Sequence, residues 1–316
     1  MNIFMRTYIL FFVLAGIFFG CSSFPLGLLT KSIRTLGGPI DSVRNKITEP
    51  VLPDVPLSVL WIGHATCLIQ IHDRVFITDP LLTKTAGMLS QRIVEPGIDP
   101  ALLTRVDAVL ISHLHFDHLS YGSLDMLPKN GVLLLPLGGL EYVPNFSFAD
   151  ICEMKSYSSY TVRGATVTAV PANHFSGRYG FDALWMGSTG FTGYIIEYRG
   201  MTVYFAGDTK YDPEMFKEIG KKFKIDVALL PIAPVEPSSI MRRVHMDPAQ
   251  AVQAMDDLHA RVMIPIHYRT LRQGSDSSAT FAQDLLKKII KEKKIENRVY
   301  ILTIGERKVF EEGFKK

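Results

Sequence analysis

Ser112-His113-Leu114-His115-Phe116-Asp117-His118 places four strong metal ligands within six residues. The run that leads into it, Val-Asp-Ala-Val-Leu-Ile-Ser at 106–112, is apolar and reads as a buried strand ending in a loop. Histidines two apart in extended chain point to the same side, because side chains alternate along a strand. Asp117 and His118 then fall where the loop turns. Imidazoles and a carboxylate clustered at a strand end suit one or two borderline metal ions, zinc foremost. Surface histidines rarely crowd this tightly by chance.

The 316 residues are 47% hydrophobic, ample for one large core. The net charge of +3 is too small to argue for nucleic acid, and no nucleic-acid partner is expected. Lysines between Lys287 and Lys294 lie opposite Phe281, Leu285, Leu286, Ile289 and Ile290 and read as the solvated face of a helix. Cys67 sits in an apolar strand pattern as a small buried hydrophobe; a bridge to Cys152 stays open, but two cysteines make no disulfide framework.

Near the start, Arg6 precedes an uncharged apolar run from Tyr8 to Phe19, followed by Gly20-Cys21-Ser22-Ser23. A basic region, a short apolar stretch and a small residue before the cut make a secretory signal. The cysteine after Gly20 resembles a bacterial lipoprotein cleavage site, so 1–20 is expected as a lipoprotein-type signal peptide with Cys21 lipidated. The competing reading is an uncleaved anchor, Tyr8 to Leu29. Both place the domain in the cell envelope, membrane-anchored outside the cytoplasm. Residues 21–56 read as a tether with one short helix near 40–47, and 57–316 as a single domain.

Strand signals cover Leu57–Ile62, Cys67–Ile71, Val75–Asp79, Val106–Ser112, Val132–Leu135, Ile151–Met154, Ser159–Val170, Phe191–Tyr198, Met201–Ala206, Val227–Pro231, Val262–Ile266 and Val299–Ile304. Arg199-Gly200 reads as a tight hairpin turn. Helices are expected at Asp212–Ile219, Pro248–His259 and Ala279–Lys294, the second with Asp247 as N-cap and Gln250 closing a capping box. Strands dominate, with helices interspersed late, which suggests two packed sheets with helices outside: an α/β layered sandwich.

Further ligand candidates also follow strands. His174 comes after Ala165–Val170, Asp208 lies in Phe205-Ala206-Gly207-Asp208-Thr209, and His267 ends Ile264-Pro265-Ile266-His267. Each alone is weak, since a lone histidine there is more often a hydrogen-bonded structural residue. Together with the first cluster they supply five imidazoles and two carboxylates at strand ends.

This ordered set resembles the metallo-β-lactamase fold hydrolases, and within them the branch typified by N-acyl-phosphatidylethanolamine phospholipase D. The branch motifs are Trp61–Thr66, Thr78–Pro80, Phe205–Thr209, Ile219–Phe223, Pro231-Ile232 with Glu236-Pro237, and His245–Pro248, covering about residues 57–270. The resemblance implies a metallo-β-lactamase-like four-layer αββα sandwich. It implies two zinc ions, one held by His113, His115 and His174, the other by Asp117, His118 and His267, with Asp208 bridging. A hydroxide between the metals would be the nucleophile. Asp117, Asp208 and His245 are then the catalytic candidates, His245 protonating a leaving group or binding phosphate. Asp79 would orient a ligating imidazole from behind. His64 reads as a packed residue beneath the site; His72 and His259 carry no assignment. Histidine at 115, where diiron relatives usually carry glutamate, favours zinc over iron.

The chain departs from the branch at Tyr268 and Arg269, in the polar segment 270–278, and in the loop 81–97 with apolar Leu81, Leu82, Met88, Leu89 and Ile93. These are mouth positions, where Tyr179, Phe181 and Trp185 are candidates to wall an apolar approach. The implied activity is a dizinc phosphodiesterase acting on phospholipid. Alternatives are a lactonase, thioesterase or amide hydrolase on the same site, or a non-catalytic surface lipoprotein stabilised by metal.

Overall fold

Alternation along β1 (Leu57–Gly63) sets the layering. Leu57, Val59 and Trp61 join the core that includes the space between two sheets, while Leu60 and Ile62 join a separate cluster on the outer face. Both faces are covered, so the strand reads as an almost continuous apolar run. The computed structural model describes residues 36–311 and 314, apart from residues 45, 89, 176, 180, 181 and 188. The expected signal peptide or anchor, Cys21, and the mouth candidates Leu89 and Phe181 lie outside the described residues.

β1 belongs to a seven-stranded sheet with β2 (Thr66–Ile71), β3 (Arg74–Thr78), β6 (Ala108–Leu110), β7 (Val132–Pro136), β8 (Asp150–Met154) and β15 (Arg307–Phe310). Its order is β15-β1-β2-β3-β6-β7-β8. The facing sheet contains β9 (Ser159–Val162), β10 (Ala165–Val170), β11 (Gly193–Tyr198), β12 (Met201–Phe205), β13 (Val227–Pro231) and β14 (Val262–Ile266), in the order β14-β13-β12-β11-β10-β9. A small hairpin joins β4 (Thr85–Ala86) to β5 (Ser90–Gln91). Outside the first sheet, α1 (Tyr121–Met126) adds Leu124 to the outer cluster. Outside the second lie α3 (Pro213–Lys222), α5 (Pro248–Asp257) and α6 (Phe281–Lys293), with α5 packed on β13, β14 and both other helices. Two single turns, α2 (Ala183–Met186) and α4 (Ser238–Met241), sit in connecting loops. The layering is αββα, as expected.

Local chemistry explains the ends that matter. Asp247 and Gln250 close the capping box that starts α5, and Asp212 caps α3 by accepting from the Met215 N–H. The expected strand Ser159–Val170 breaks into β9 and β10 because Arg163 and Gly164, at φ +49° and +86°, turn the chain into a hairpin. Val299–Ile304 is not a strand: Val299 makes one bridge to Met263, and after Gly305 (φ +89°) the chain pairs with β1 instead. Among the described residues no helix forms at 40–47. Asp41 and Ile47 bridge Val94 and Ile98, the Val43 N–H donates to Glu95, and Lys46 pairs with Glu95 at 2.8 Å. The described part of the segment expected as a tether therefore runs against the domain. Cys67 and Cys152 are both free thiols.

Gly220, in the last turn of α3, lies against the end of α5. A Cβ there would stand 2.7 Å from the Leu258 carbonyl carbon and oxygen. Alanine gains about 1 kcal/mol of helix propensity over glycine, but overpacking against backbone costs about 1–3 kcal/mol. Gly220→Ala is therefore expected to lower the urea midpoint; a midpoint at or above that of the parent would refute this packing.

Candidate metal centre

Parallel neighbours β3 and β6 both end at the same rim, and Asp79 and Ser112 leave them side by side. The Asp79 carboxylate accepts from the Ser112 N–H at 2.6 Å, the Ser112 hydroxyl at 2.5 Å and His118 Nδ1 at 2.7 Å. Ser112 spends its one proton on Asp79, so it accepts from His113 Nδ1–H at 3.0 Å. These bonds fix the protons on the outer nitrogens of His113 and His118 and leave each Nε2 lone pair facing inward.

The second sheet sends its ligands to the same rim. Gly207, at φ +60°, carries the chain from β12 to Asp208; a Cβ there would stand 2.3 Å from Ser112 Cβ. Only glycine allows this approach. His174 follows β10, tied to the Asp208 loop by Asn173 N–H donating to Thr209 Oγ1 at 2.9 Å. Its Nδ1–H donates to the Val244 carbonyl at 2.8 Å. His267 follows β14, with its backbone N–H on the His64 carbonyl and its Nδ1–H on the Ala233 carbonyl, at 2.9 and 2.8 Å.

The inner atoms form two adjoining sets. In the first, His115 Nδ1 lies 2.7 Å from His113 Nε2 and 3.4 Å from His174 Nε2. In the second, His118 Nε2 and His267 Nε2 are 3.3 Å apart, and Asp208 Oδ2 lies 3.3 and 3.1 Å from them. Asp117 Oδ2 stands 3.8 and 4.0 Å from the same two nitrogens. All seven sequence candidates are thus gathered in one place. His245 Nδ1 lies 3.5 Å from Asp208 Oδ2, and Asp79 sits behind His118.

This donor set fits a cation. Imidazole nitrogens whose partner N–H groups are already committed face one another at contact distance, where only a proton or a metal makes them attractive. Asp208 Oδ1 is buried and accepts no hydrogen bond, a costly state for a carboxylate oxygen unless a cation takes it. The electrostatics agree. Burial, then neighbouring imidazoles, hold His113 well below its ordinary value and His115 at about 3, keeping both neutral and able to ligate. Burial also works against charge on His118, yet Asp208, Asp117 and Asp79 raise it well above the ordinary imidazole. The pocket calls for positive charge there. Asp117 and Asp208 are held well below the usual carboxylate range despite burial, Asp117 first by His118 and Asp208 first by His267.

Some roles escaped the sequence. His64 is buried, and its Nε2 bonds Asp117 Oδ2 at 3.0 Å; its place after Gly63 at a strand end was the available signal. Gln273 donates to the same oxygen at 2.7 Å and carried no signal at all. Of the expected mouth residues, Leu81 and Leu82 are buried in packing instead, because the loop folds inward over Ala86 and the outer cluster. Tyr179 and Trp185 are exposed at 53% and 61%, alongside Leu184 and Phe175. The Phe175 ring lies 4.4 Å from that of His115, so this exposed side chain stands beside the metal centre.

Residues 74–268 match the model of the beta-lactamase superfamily domain. The chain belongs to that family, and it carries the metallo-β-lactamase fold. An uncharacterized protein of Mycobacterium tuberculosis is 32% identical over 228 residues, 68% of this chain; the chain spans 59% of that relative's length. The N-acyl-phosphatidylethanolamine-hydrolyzing phospholipase D 1 of Caenorhabditis elegans is 28% identical over 269 residues, 78% of this chain and 74% of the relative. In fold, a possible metal-dependent hydrolase from Veillonella parvula superposes with a TM-score of 0.66 at 20% identity, covering 81% of this chain and all of that one.

The Asp79 carboxylate reaches the ligands through Ser112 and His118, so Asp79→Asn, with circular dichroism and thermal melting checking the fold, is expected to weaken zinc binding by about 10–100-fold. Competition with a chromophoric chelator measures this; affinity within twofold of the parent would refute the role.

Proposed function

We propose that the protein is a metal-dependent hydrolase holding two zinc ions, and that it cleaves a phosphodiester bond of a membrane phospholipid. An N-acylated phosphatidylethanolamine is the favoured substrate. One cation would rest on His113, His115 and His174, the other on Asp117, His118 and His267, with Asp208 shared. The observation that carries the reading is Asp208: one oxygen faces the second set at 3.1 and 3.3 Å, while the other is buried without a hydrogen bond. When bound, such cations acidify water toward neutrality and offset negative charge gathering at a phosphoryl centre.

The chain's own groups supply the rest. Asp79, Ser112, Val244 and Ala233 hold the imidazoles in the ligating tautomer. His245, half-buried with its Nδ1 enclosed and making no hydrogen bond, sits beside Asp208 where it would bind a phosphate oxygen or protonate a leaving oxygen. Phe175, Tyr179, Leu184 and Trp185 offer an exposed apolar approach that suits acyl chains. The named activity of the nematode relative supports the substrate class. The sequence at 6–23 supports a lipid-linked Cys21 and a position at the membrane outside the cytoplasm, where this substrate lies.

Zinc-loaded protein is expected to release phosphatidic acid from vesicles containing N-acylated phosphatidylethanolamine, and Asp208→Ala to abolish this while keeping its circular dichroism. Turnover of a lactone or thioester with none on any phosphodiester would move the reading to the acyl hydrolases. His245→Ala is expected to retain zinc and lose about 10²–10⁴-fold in kcat; unchanged kcat would remove His245 from the chemistry.

A further inference from the structure

The segment that parts company with the phospholipase branch, 270–278, is not a passive surface loop. Three anchors fasten it to the loop after β13. Asp276 accepts from the Glu236 and Val235 N–H groups at 2.7 and 3.1 Å. The Ser275 N–H donates to the Glu236 carbonyl at 2.7 Å. Gly274, at φ +59°, lies so close that a Cβ would stand 2.5 Å from the same carbonyl oxygen. At its start the Thr270 hydroxyl accepts from the His64 N–H at 2.6 Å. A segment held at both ends in this way presents Gln273 in one place. Its amide nitrogen donates to Asp117 Oδ2 at 2.7 Å, the oxygen that His64 also bonds.

We infer that Gln273 is a positioning residue for Asp117, and that through it the 270–278 segment sets the affinity of the second cation position independently of the first. A carboxylate only accepts hydrogen bonds, so the amide must present its NH₂. Two donors on one oxygen fix the rotation of the carboxylate and draw off part of its basicity. Groups behind a metal ligand govern its affinity by 10–100-fold. The first set, His113, His115 and His174, has no bond to Gln273 and takes its support from Ser112 and Val244 instead. Asp79 stands behind both positions, through Ser112 for His113 and directly for His118, whereas the 270–278 segment stands behind the second alone.

The inference rests on the two-cation reading above, and the experiment separates the two. Metal-free protein and the variants Gln273→Ala and Gln273→Met are titrated with zinc against a chromophoric chelator, and with Co²⁺ by visible absorption. Folding is checked by circular dichroism and thermal melting. The parent is expected to take up two ions in two resolved steps. Both variants are expected to melt like the parent, to lose tenfold or more in one step, to keep the other within twofold, and to change the cobalt spectrum of the weakened step alone. Two unaltered steps in the variants overturn the role of Gln273 while leaving the two-cation reading intact. Equal weakening of both steps overturns it too, as a general loosening of the site. Uptake of a single ion by the parent overturns both.

Discussion

A buried carboxylate with three donors organises this molecule. Asp79 has lost all contact with water, and burial pushes its carboxyl upward before His118 and Ser112 draw it back. Such a group is tolerable inside a protein only when its oxygens are hydrogen-bonded. The donors that satisfy it come from the end of β6 and from the turn beyond, so meeting the needs of one side chain also fixes the path of 112–118. The same bonds set the ring orientation of His118 and, through Ser112, of His113. Structure and site chemistry are therefore not separable at this point. Whatever keeps Asp79 hydrogen-bonded keeps the imidazoles turned inward.

Several residues around the rim hold left-handed backbone without being glycine. His64, Asp79, His267 and Arg269 lie at φ +55°, +32°, +65° and +57°. Such conformations cost on the order of 1–3 kcal/mol each and persist only where the surroundings over-determine them. Here they do. The His64 carbonyl takes bonds from the Trp61 indole and the His267 N–H, and the Asp79 carbonyl takes the Thr66 hydroxyl. Trp61 stacks on Tyr268 with centroids 4.4 Å apart, locking the residue beside the His267 ligand. The chain turns sharply at each strand end because a ligand must leave the strand direction and aim at a common point.

Much of this was legible in the sequence, for identifiable reasons. Strands buried on both faces announce themselves as apolar runs, so β1, β2, β13 and β14 were plain. Ligands at strand ends were plain only as a set: each alone reads more often as a structural residue, but five imidazoles and two carboxylates after such runs point to one centre. Asp247, Pro248 and Gln250 spelled out the start of α5. What failed was what depends on distant partners. Val299–Ile304 has strand composition, but β1 takes Arg307–Phe310 as its edge partner instead, after the turn at Gly305. Leu81 and Leu82 looked like mouth residues because their loop is long, whereas that stretch packs inward and, among the described apolar residues of the loop, only Met88 farther along stays exposed. Gln273 has no local signature, since an amide is unremarkable until a carboxylate 156 positions away meets it.

That last contrast bears on how one fold diversifies. The ligands themselves sit at strand ends, in positions dictated by the sheets, and leave little room for variation. The groups behind the ligands come from loops, and loops tolerate change. Asp117 draws its support from His64, at the end of β1, and from Gln273, in the 270–278 loop. A family can keep its metal-binding residues and still adjust the site by exchanging what stands behind a ligand. The exposed aromatic side chains Phe175, Tyr179 and Trp185 lie on the loop that carries His174, so one stretch of chain supplies both a ligand candidate and an exposed apolar surface.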